Sequence, residues 1–202
     1  MKQYHINEIF YSLQGEGYHT GHAAVFIRFS GCNLRCRFCD THHTTFTPMT
    51  LEEILQQVAR YPNEAIIVLT GGEPSLSIDQ AFIDALHQCN NVQRYITIET
   101  NGTRLLPTGI DWITLSPKIG IDGGCDSITD LAVRQCDELK VVNCYQDLTM
   151  YDTIVAKHHY LQPCDTENAH ERTTNLLDCI EKVKRWPQWK LSLQTHKLIN
   201  IP

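Results

Sequence analysis

Short apolar runs that each end in a polar cluster marked by glycine, proline or asparagine recur along this chain. Residues 24–30 (AVFIRFS), 65–70 (AIIVLT), 95–99, 112–115, 138–142, 158–161 and 190–194 read as strands. The almost wholly apolar 65–70 run has the look of a parallel strand buried on both faces. Helix signals lie between several of them. Thr50 and Glu53 form a capping box ahead of Leu51, Ile54, Leu55 and Val58 on one helical face. Asp79 starts a second helix with Phe82, Ile83 and Leu86 toward the core. Residues 167–185 form a third, with Leu176, Leu177, Ile180 and Val183 on one side and Pro187 as its stop. Strands alternating with helices imply right-handed crossovers and a parallel sheet. Some connections are too short for a helix, and a complete eight-fold barrel takes about 250 residues. The expectation is therefore an α/β fold, a partial TIM-type β/α barrel of about six parallel strands, in a single domain over residues 1–202.

The polar clusters all fall just past strand C-termini, where such sheets and barrels place their active sites. The first holds three cysteines in eight residues, Cys32-Asn33-Leu34-Arg35-Cys36-Arg37-Phe38-Cys39. A structural zinc or an ordinary iron–sulfur cluster takes four closed ligands, so three on one loop leave a metal position open. A zinc site with His42 or His43 as fourth ligand, and a Cys36/Cys39 redox pair, are alternatives. The remaining cysteines (Cys89, Cys125, Cys136, Cys144, Cys164, Cys179) are scattered and read as small apolar core residues. Later clusters are Gly71-Gly72-Glu73-Pro74, Thr100-Asn101-Gly102, Ser116-Pro117-Lys118 and Gln162-Pro163-Cys164-Asp165.

Composition limits the partners. The net charge of −6 and the lack of a basic tract argue against nucleic acid. No apolar run approaches a membrane span, and the first residues carry no apolar signal core. The expectation is a cytoplasmic protein with no nucleic-acid or membrane partner.

The C-x3-C-x2-C loop, with an aromatic before its last cysteine and placed after the first strand of a β/α chain, resembles the radical S-adenosylmethionine (SAM) enzymes. The resemblance implies a 4Fe–4S cluster on Cys32, Cys36 and Cys39, with SAM chelated at the open iron. Its one-electron cleavage gives methionine and a 5′-deoxyadenosyl radical that takes hydrogen from the substrate. The cofactor carries the hard chemistry, and the protein binds and orients. The same resemblance gives Phe38, Cys39 and Asp40 to SAM, with Gly72 and Glu73 at its methionine ammonium. Gly102 lets the backbone come near the cofactor, and Ser116, Pro117, Lys118, Gln162, Pro163, Cys164 and Asp165 touch its ribose and adenine. Cys164 stands where the family pattern leads one to expect a bulkier apolar residue.

The flanks narrow the resemblance. Leu13-Gln14-Gly15-Glu16-Gly17, Thr20-Gly21, Phe26-Ile27-Arg28-Phe29, Cys39-Asp40-Thr41 and Gln194-Thr195-His196-Lys197 resemble the 7-carboxy-7-deazaguanine synthase family of the queuosine pathway over nearly the full chain. That implies a ring-contracting lyase that converts 6-carboxy-5,6,7,8-tetrahydropterin to 7-carboxy-7-deazaguanine with loss of ammonia. Leu13, Gln14, Gly15 and Glu16 would then read the pterin edge, and Thr100, His196 and Pro202 would lie near it. Arg28 offers a bidentate fork for the carboxylate. Flanked by Ile27 and Phe29, it points away from the face those two share. The resemblance further implies Mg²⁺ on the Thr41 hydroxyl, a flavodoxin- or ferredoxin-type electron donor and a homodimer. His42, His43, His158 and His159 read as surface groups or as groups behind the ligands. A glycyl-radical activating enzyme, or a non-catalytic zinc or iron–sulfur interaction module, are the other readings.

Overall fold

The computed structural model describes residues 2–39 and 45–202. Among these, nine strands form one sheet: β1 (Gln3–Leu13), β2 (Ala23–Phe29), β3 (Thr47–Thr50), β4 (Ile66–Gly71), β5 (Ile96–Thr100), β6 (Trp112–Leu115), β7 (Gln135–Asn143), β8 (Val155–Pro163) and β9 (Trp189–Leu191), in the spatial order β3-β1-β2-β4-β5-β6-β7-β8-β9. Four α-helices accompany them: α1 (Leu51–Val58), α2 (Gln80–His87), α3 (Ala169–Arg185) and α4 (Thr195–Ile199). The parallel stretch runs from β2 through β4 to β9, seven strands rather than about six. β1 and β3 add antiparallel pairs at the other edge. The fold is a mostly parallel α/β sheet, a partial barrel whose edge strands are β3 and β9.

The helices form where their caps dictate. Glu53 N–H donates to Thr50 Oγ1 while Thr50 N–H donates to Glu53 Oε2, closing the expected box before α1. Asp79 caps α2 by accepting from Phe82 N–H, and Asn168 caps α3. One helical face differs from its sequence reading. Asn175 and Cys179 are the buried residues of α3, whereas Leu177 is 58% exposed. The sheet is met by a polar-and-small stripe, because Asn175 Nδ2 reaches the Cys164 carbonyl at 2.8 Å.

Strand side chains alternate between faces, and here the two faces have different chemistry. On one, Val25, Ile27, Phe29, Ile67, Leu69, Ile96 and Ile98 pack with Ile54 and Val58 of α1 and Phe82, Ile83 and Leu86 of α2. Leu115, Leu139, Val141, Leu161 and Trp189 continue that face with Cys179 of α3. At 20–33 cal/mol per Å² of apolar area, roughly 25 on average, this side carries the folding energy. The opposite face starts apolar, with Ala24, Phe26, Ile66 and Val68. Toward the strand C-termini and across the later strands it turns polar, with Arg28, Thr70, Glu99, Ser116, Glu138, Lys140 and Gln162 at the alternate positions.

β1 escaped the sequence reading because its period breaks. Ile6 pairs with Phe29 but Glu8 pairs with Arg28, so one extra residue, Asn7, is bulged. Tyr4 and Ile6 before the bulge belong to the core. After it the phase flips, and Glu8 and Phe10 face the polar side. A bulge re-aims side chains in this way, and here it delivers Asn7 and Glu8 to the cavity below.

Candidate active site

A cavity of about 700 Å³ lies against the polar face, lined from β1, β2, β4, β5, β7 and β8, the cysteine loop and the C-terminal segment. It has a rim and a floor.

The rim begins where β2 ends. Gly72 N–H donates to the Phe29 carbonyl and Glu73 N–H to the Gly31 carbonyl, both at 2.9 Å. A Cβ on Gly72 would stand 1.9 Å from the Gly31 oxygen, so only glycine lets the two strand ends meet. The cysteine loop follows and is pinned from outside: Arg35 N–H donates to the Gly123 carbonyl at 2.8 Å and Arg37 N–H to that of Asp122 at 3.2 Å. This 122–124 turn was not singled out from sequence, although its paired glycines were a visible signal. Cys32, Cys36 and Cys39 all line the cavity. Burial pushes the Cys32 and Cys36 thiols up, while the nearby Lys118 ammonium pulls both down. Leu34 N–H and Asn101 Nδ2 point at the Cys32 sulfur from 3.4 and 3.9 Å. Among the described residues no three His, Cys, Asp or Glu side chains gather as a site for one metal ion. Three thiols facing one cavity would suit a cluster with one iron left open.

The other strand ends complete the rim. Glu73 is 1% exposed. Its carboxylate accepts from Thr100 Oγ1 (2.7 Å), Asn101 N–H (2.7 Å) and Ser75 N–H (3.1 Å). The Thr100 hydroxyl is thereby committed to Glu73. Lys118 Nζ donates to the Ser116 carbonyl and hydroxyl at 2.7 and 2.6 Å. Burial lowers its pKa, with Cys36 opposing. Gln162 accepts from Ser192 Oγ at 3.0 Å, and Asp165 pairs with Lys197 at 2.6 Å. Phe38, Pro163 and Asp165 line the cavity. Gly102, Pro117 and Cys164 do not. In Ser116-Pro117-Lys118 the outer two share a side and the middle one faces away, as extended chain requires. Gly102 is turned against Leu115, with its carbonyl taking the Ala132 and Val133 N–H groups. Cys164 is buried, its sulfur directed at the Asp165 carbonyl. Asp40, Thr41, His42 and His43 lie outside the described residues.

The floor is an ion network. Lys140 Nζ donates to Glu16 Oε2 at 2.6 Å and to Glu99 Oε1 at 2.9 Å. Glu99 Oε2 accepts from Thr70 Oγ1 at 2.8 Å, and Gln14 Nε2 approaches Glu99 Oε1 at 3.4 Å. Gln194 Nε2 donates to Glu16 Oε1 at 2.9 Å. Burial alone would raise Glu16, but the Lys140 charge and hydrogen bond outweigh it and hold the carboxyl below its ordinary value. Burial would likewise lower Lys140, and Glu16, Glu99 and Glu138 together push it up instead. Lys140, Glu99 and Thr70 were missed from sequence. The signal existed: Lys140 lies between Leu139 and Val141, both fully buried, the same pattern that singled out Arg28.

Arg28 does reach the cavity, and it meets Glu8 there, Nε to Oε1 at 2.8 Å. Leu13, Gln14, Gly15 and Glu16 line the same space. The C-terminal segment closes it. Thr195 N–H and Oγ1 both donate to the Gly15 carbonyl at 2.9 Å. A Cβ on Gly15 would lie 2.1 Å from His196 Nδ1, so this glycine is what lets His196 approach. Ser12 Oγ donates to the Pro202 carbonyl at 2.7 Å.

Comparison with known proteins agrees with this arrangement. Residues 26–138 match the Radical SAM superfamily. The chain is 55% identical over 196 residues to the 7-carboxy-7-deazaguanine synthase of Bacteroides thetaiotaomicron, covering 97% of each. It is 38% identical over 223 residues to that of Bradyrhizobium diazoefficiens, covering 98% of this chain and 99% of the relative. The crystal structure of QueE from Escherichia coli superposes with a TM-score of 0.72 at 28% identity, over 95% of this chain and 93% of that one. A three-cysteine loop over a cavity against the polar face of the sheet, on a partial barrel with these relatives, places the chain in the radical SAM superfamily, within the family of 7-carboxy-7-deazaguanine synthases.

Proposed function

We infer that the chain is the radical SAM lyase that forms 7-carboxy-7-deazaguanine from 6-carboxy-5,6,7,8-tetrahydropterin with loss of ammonia, supplying queuosine biosynthesis. The observation that carries this reading is one cavity that joins a three-thiol rim to a floor of half-buried carboxylates and amides with Arg28 beside it.

In this reading Cys32, Cys36 and Cys39 hold a 4Fe–4S cluster, and Leu34 N–H and Asn101 Nδ2 donate toward the Cys32 sulfur. Phe38, Gly72, Ser116, Lys118, Gln162, Pro163 and Asp165 surround SAM. When bound, the cluster and SAM supply a one-electron reductive cleavage and hence hydrogen abstraction. Glu73 braces the strand ends through Thr100, Asn101 and Ser75, so the backbone of Gly71 and Gly72 presents itself to the methionine end of SAM. Gly102, Pro117 and Cys164 act from behind the rim. On the floor, Gln14, Glu16 and Glu99 face the N–H-rich pterin edge, and Arg28 takes the carboxylate, sharing its charge with Glu8. Gly15, His196 and Pro202 cover the substrate. Thr100 lies near the substrate, and Thr70, beside Arg28 on the neighbouring strand, lines the same space. Mg²⁺ at Thr41, a flavodoxin- or ferredoxin-type donor, a homodimer, a single domain and a cytoplasmic location complete the proposal. Among the described residues no helix is long and apolar enough to cross a membrane.

The test is anoxic incubation of reconstituted enzyme with SAM, reductant and the carboxypterin. Deoxyadenosine and 7-carboxy-7-deazaguanine should accrue together. Deoxyadenosine without the deazapurine would sink the substrate reading and favour a protein substrate.

A further inference from the structure

The Lys140 side chain is 5% exposed and sits between two carboxylates from distant parts of the chain, Glu16 on the β1–β2 connection and Glu99 at the end of β5. A buried ion pair adds little net stability over a well-packed apolar replacement, so folding alone gives no reason for it. All three side chains line the cavity. Each remaining oxygen accepts one hydrogen bond from a neighbour in the cavity wall and keeps a second lone pair. Gln194 Nε2 holds Glu16 Oε1, and Thr70 Oγ1 holds Glu99 Oε2. Lys140 thus ties the Gln14–Glu16 loop, the segment carrying His196, and the ends of β4 and β5 to one point on β7.

We propose that Lys140 is a positioning residue that holds the Glu16 and Glu99 carboxylates side by side, so that together they accept hydrogen bonds from the N–H-rich edge of the pterin. This rests on the substrate reading above. Other charged groups act on the network from each packed element. Glu138 lies two residues away on β7, His196 of α4 acts on Glu16, and Lys118 after β6 acts on Glu99. Without Lys140, the two carboxylates would face each other with no cation between them, and burial would favour the protonated form of Glu16. Glu16 would then take up a proton at higher pH than it does now.

Reconstituted holoenzyme bearing Lys140→Met, Lys140→Arg or Glu16→Gln tests the assignment. Lys140→Met should raise the dissociation constant for 6-carboxy-5,6,7,8-tetrahydropterin by about 30-fold or more while SAM affinity stays within about two-fold. It should also move the acid limb of kcat/KM upward by about one pH unit, and Lys140→Arg should restore both in large part. A Lys140→Met enzyme with wild-type pterin affinity and an unmoved acid limb overturns the proposal. So does parallel loss of pterin and SAM affinity that Arg fails to restore. Should Lys140→Met not fold, Glu16→Gln carries the test: the amide does not titrate, so the acid limb should flatten, and an unchanged limb overturns the assignment. Wild-type enzyme that leaves the carboxypterin untouched would instead overturn the substrate reading.

Discussion

The rim and the floor of this cavity are built in opposite ways. The rim is made of short segments that each follow a strand, and every piece is contiguous in sequence: three cysteines in eight residues, then Gly-Gly-Glu-Pro, then Ser-Pro-Lys. The floor joins Glu16, Glu99 and Lys140, which only the sheet order brings together. In the proposed function the rim takes the cofactor and the floor takes the substrate. If that division holds, damage to the rim stops all chemistry, whereas damage to the floor uncouples SAM cleavage from product.

The largest effect should come from Cys36→Ala. Deoxyadenosine formation should fall by at least about 10³-fold, the loss of more than 4 kcal/mol of transition-state stabilisation. Far-UV circular dichroism should stay close to wild type, because Cys36 lies outside both large core clusters. Residual turnover near wild type would remove Cys36 from the ligand set. Gly72→Ala comes next. Its Cβ would stand 1.9 Å from the Gly31 oxygen, a backbone atom that cannot step aside cheaply. A loss of about 1–3 kcal/mol of stability by denaturant melt is expected, with iron content after reconstitution reduced in proportion. Full iron loading in a stable protein would mean that the two strand ends can part without harm.

Much of the rim was legible for the same reason that it is robust. Capping boxes, strand-end glycines and the cysteine spacing are local signals, and Thr50–Glu53, Asp79 and the cysteine loop all fall where expected. Arg28 was legible through phase, between two core residues. The identical argument applied to Lys140 reveals the floor lysine, but its partners at positions 16 and 99 carry no mark of being neighbours. Three residues of the rim segments stand behind its surface. Pro117 and Cys164 face away from the cavity because contiguous residues on extended chain face opposite ways, whereas Gly102, at a φ of +80°, is turned against Leu115. β1 was lost to its bulge, and Leu177 to a helix whose buried face is partly polar.

Arg28→Ala tests the floor on the same scale as Lys140→Met. Its partner Glu8 would be left beside the carboxylate, so pterin binding should weaken by about 2 kcal/mol, read by anoxic calorimetry. Unchanged affinity would take Arg28 out of the site. The smallest effect concerns Glu138. Burial raises its carboxyl above the ordinary 4.5, with Lys140 opposing. A carboxyl raised on folding binds protons more readily in the native state, so its contribution to stability declines as pH rises from 4.5 through the folded value. Glu138→Gln should therefore gain in melting temperature relative to wild type at pH 8 and gain less at pH 5, an advantage of about 1 kcal/mol at most. Glu16 has the opposite sign: its lowered carboxyl stabilises the fold above 4.5 and loses that contribution as pH falls through the folded value.

The most direct measurement is the amount of 7-carboxy-7-deazaguanine formed per deoxyadenosine in Arg28→Ala, set beside wild type, with SAM affinity measured on the same preparations. A floor that orients the substrate and a rim that generates the radical require the ratio to fall while SAM affinity stays. An unchanged ratio, with deoxyadenosine and SAM affinity dropping together, would contradict the division of the cavity into cofactor rim and substrate floor.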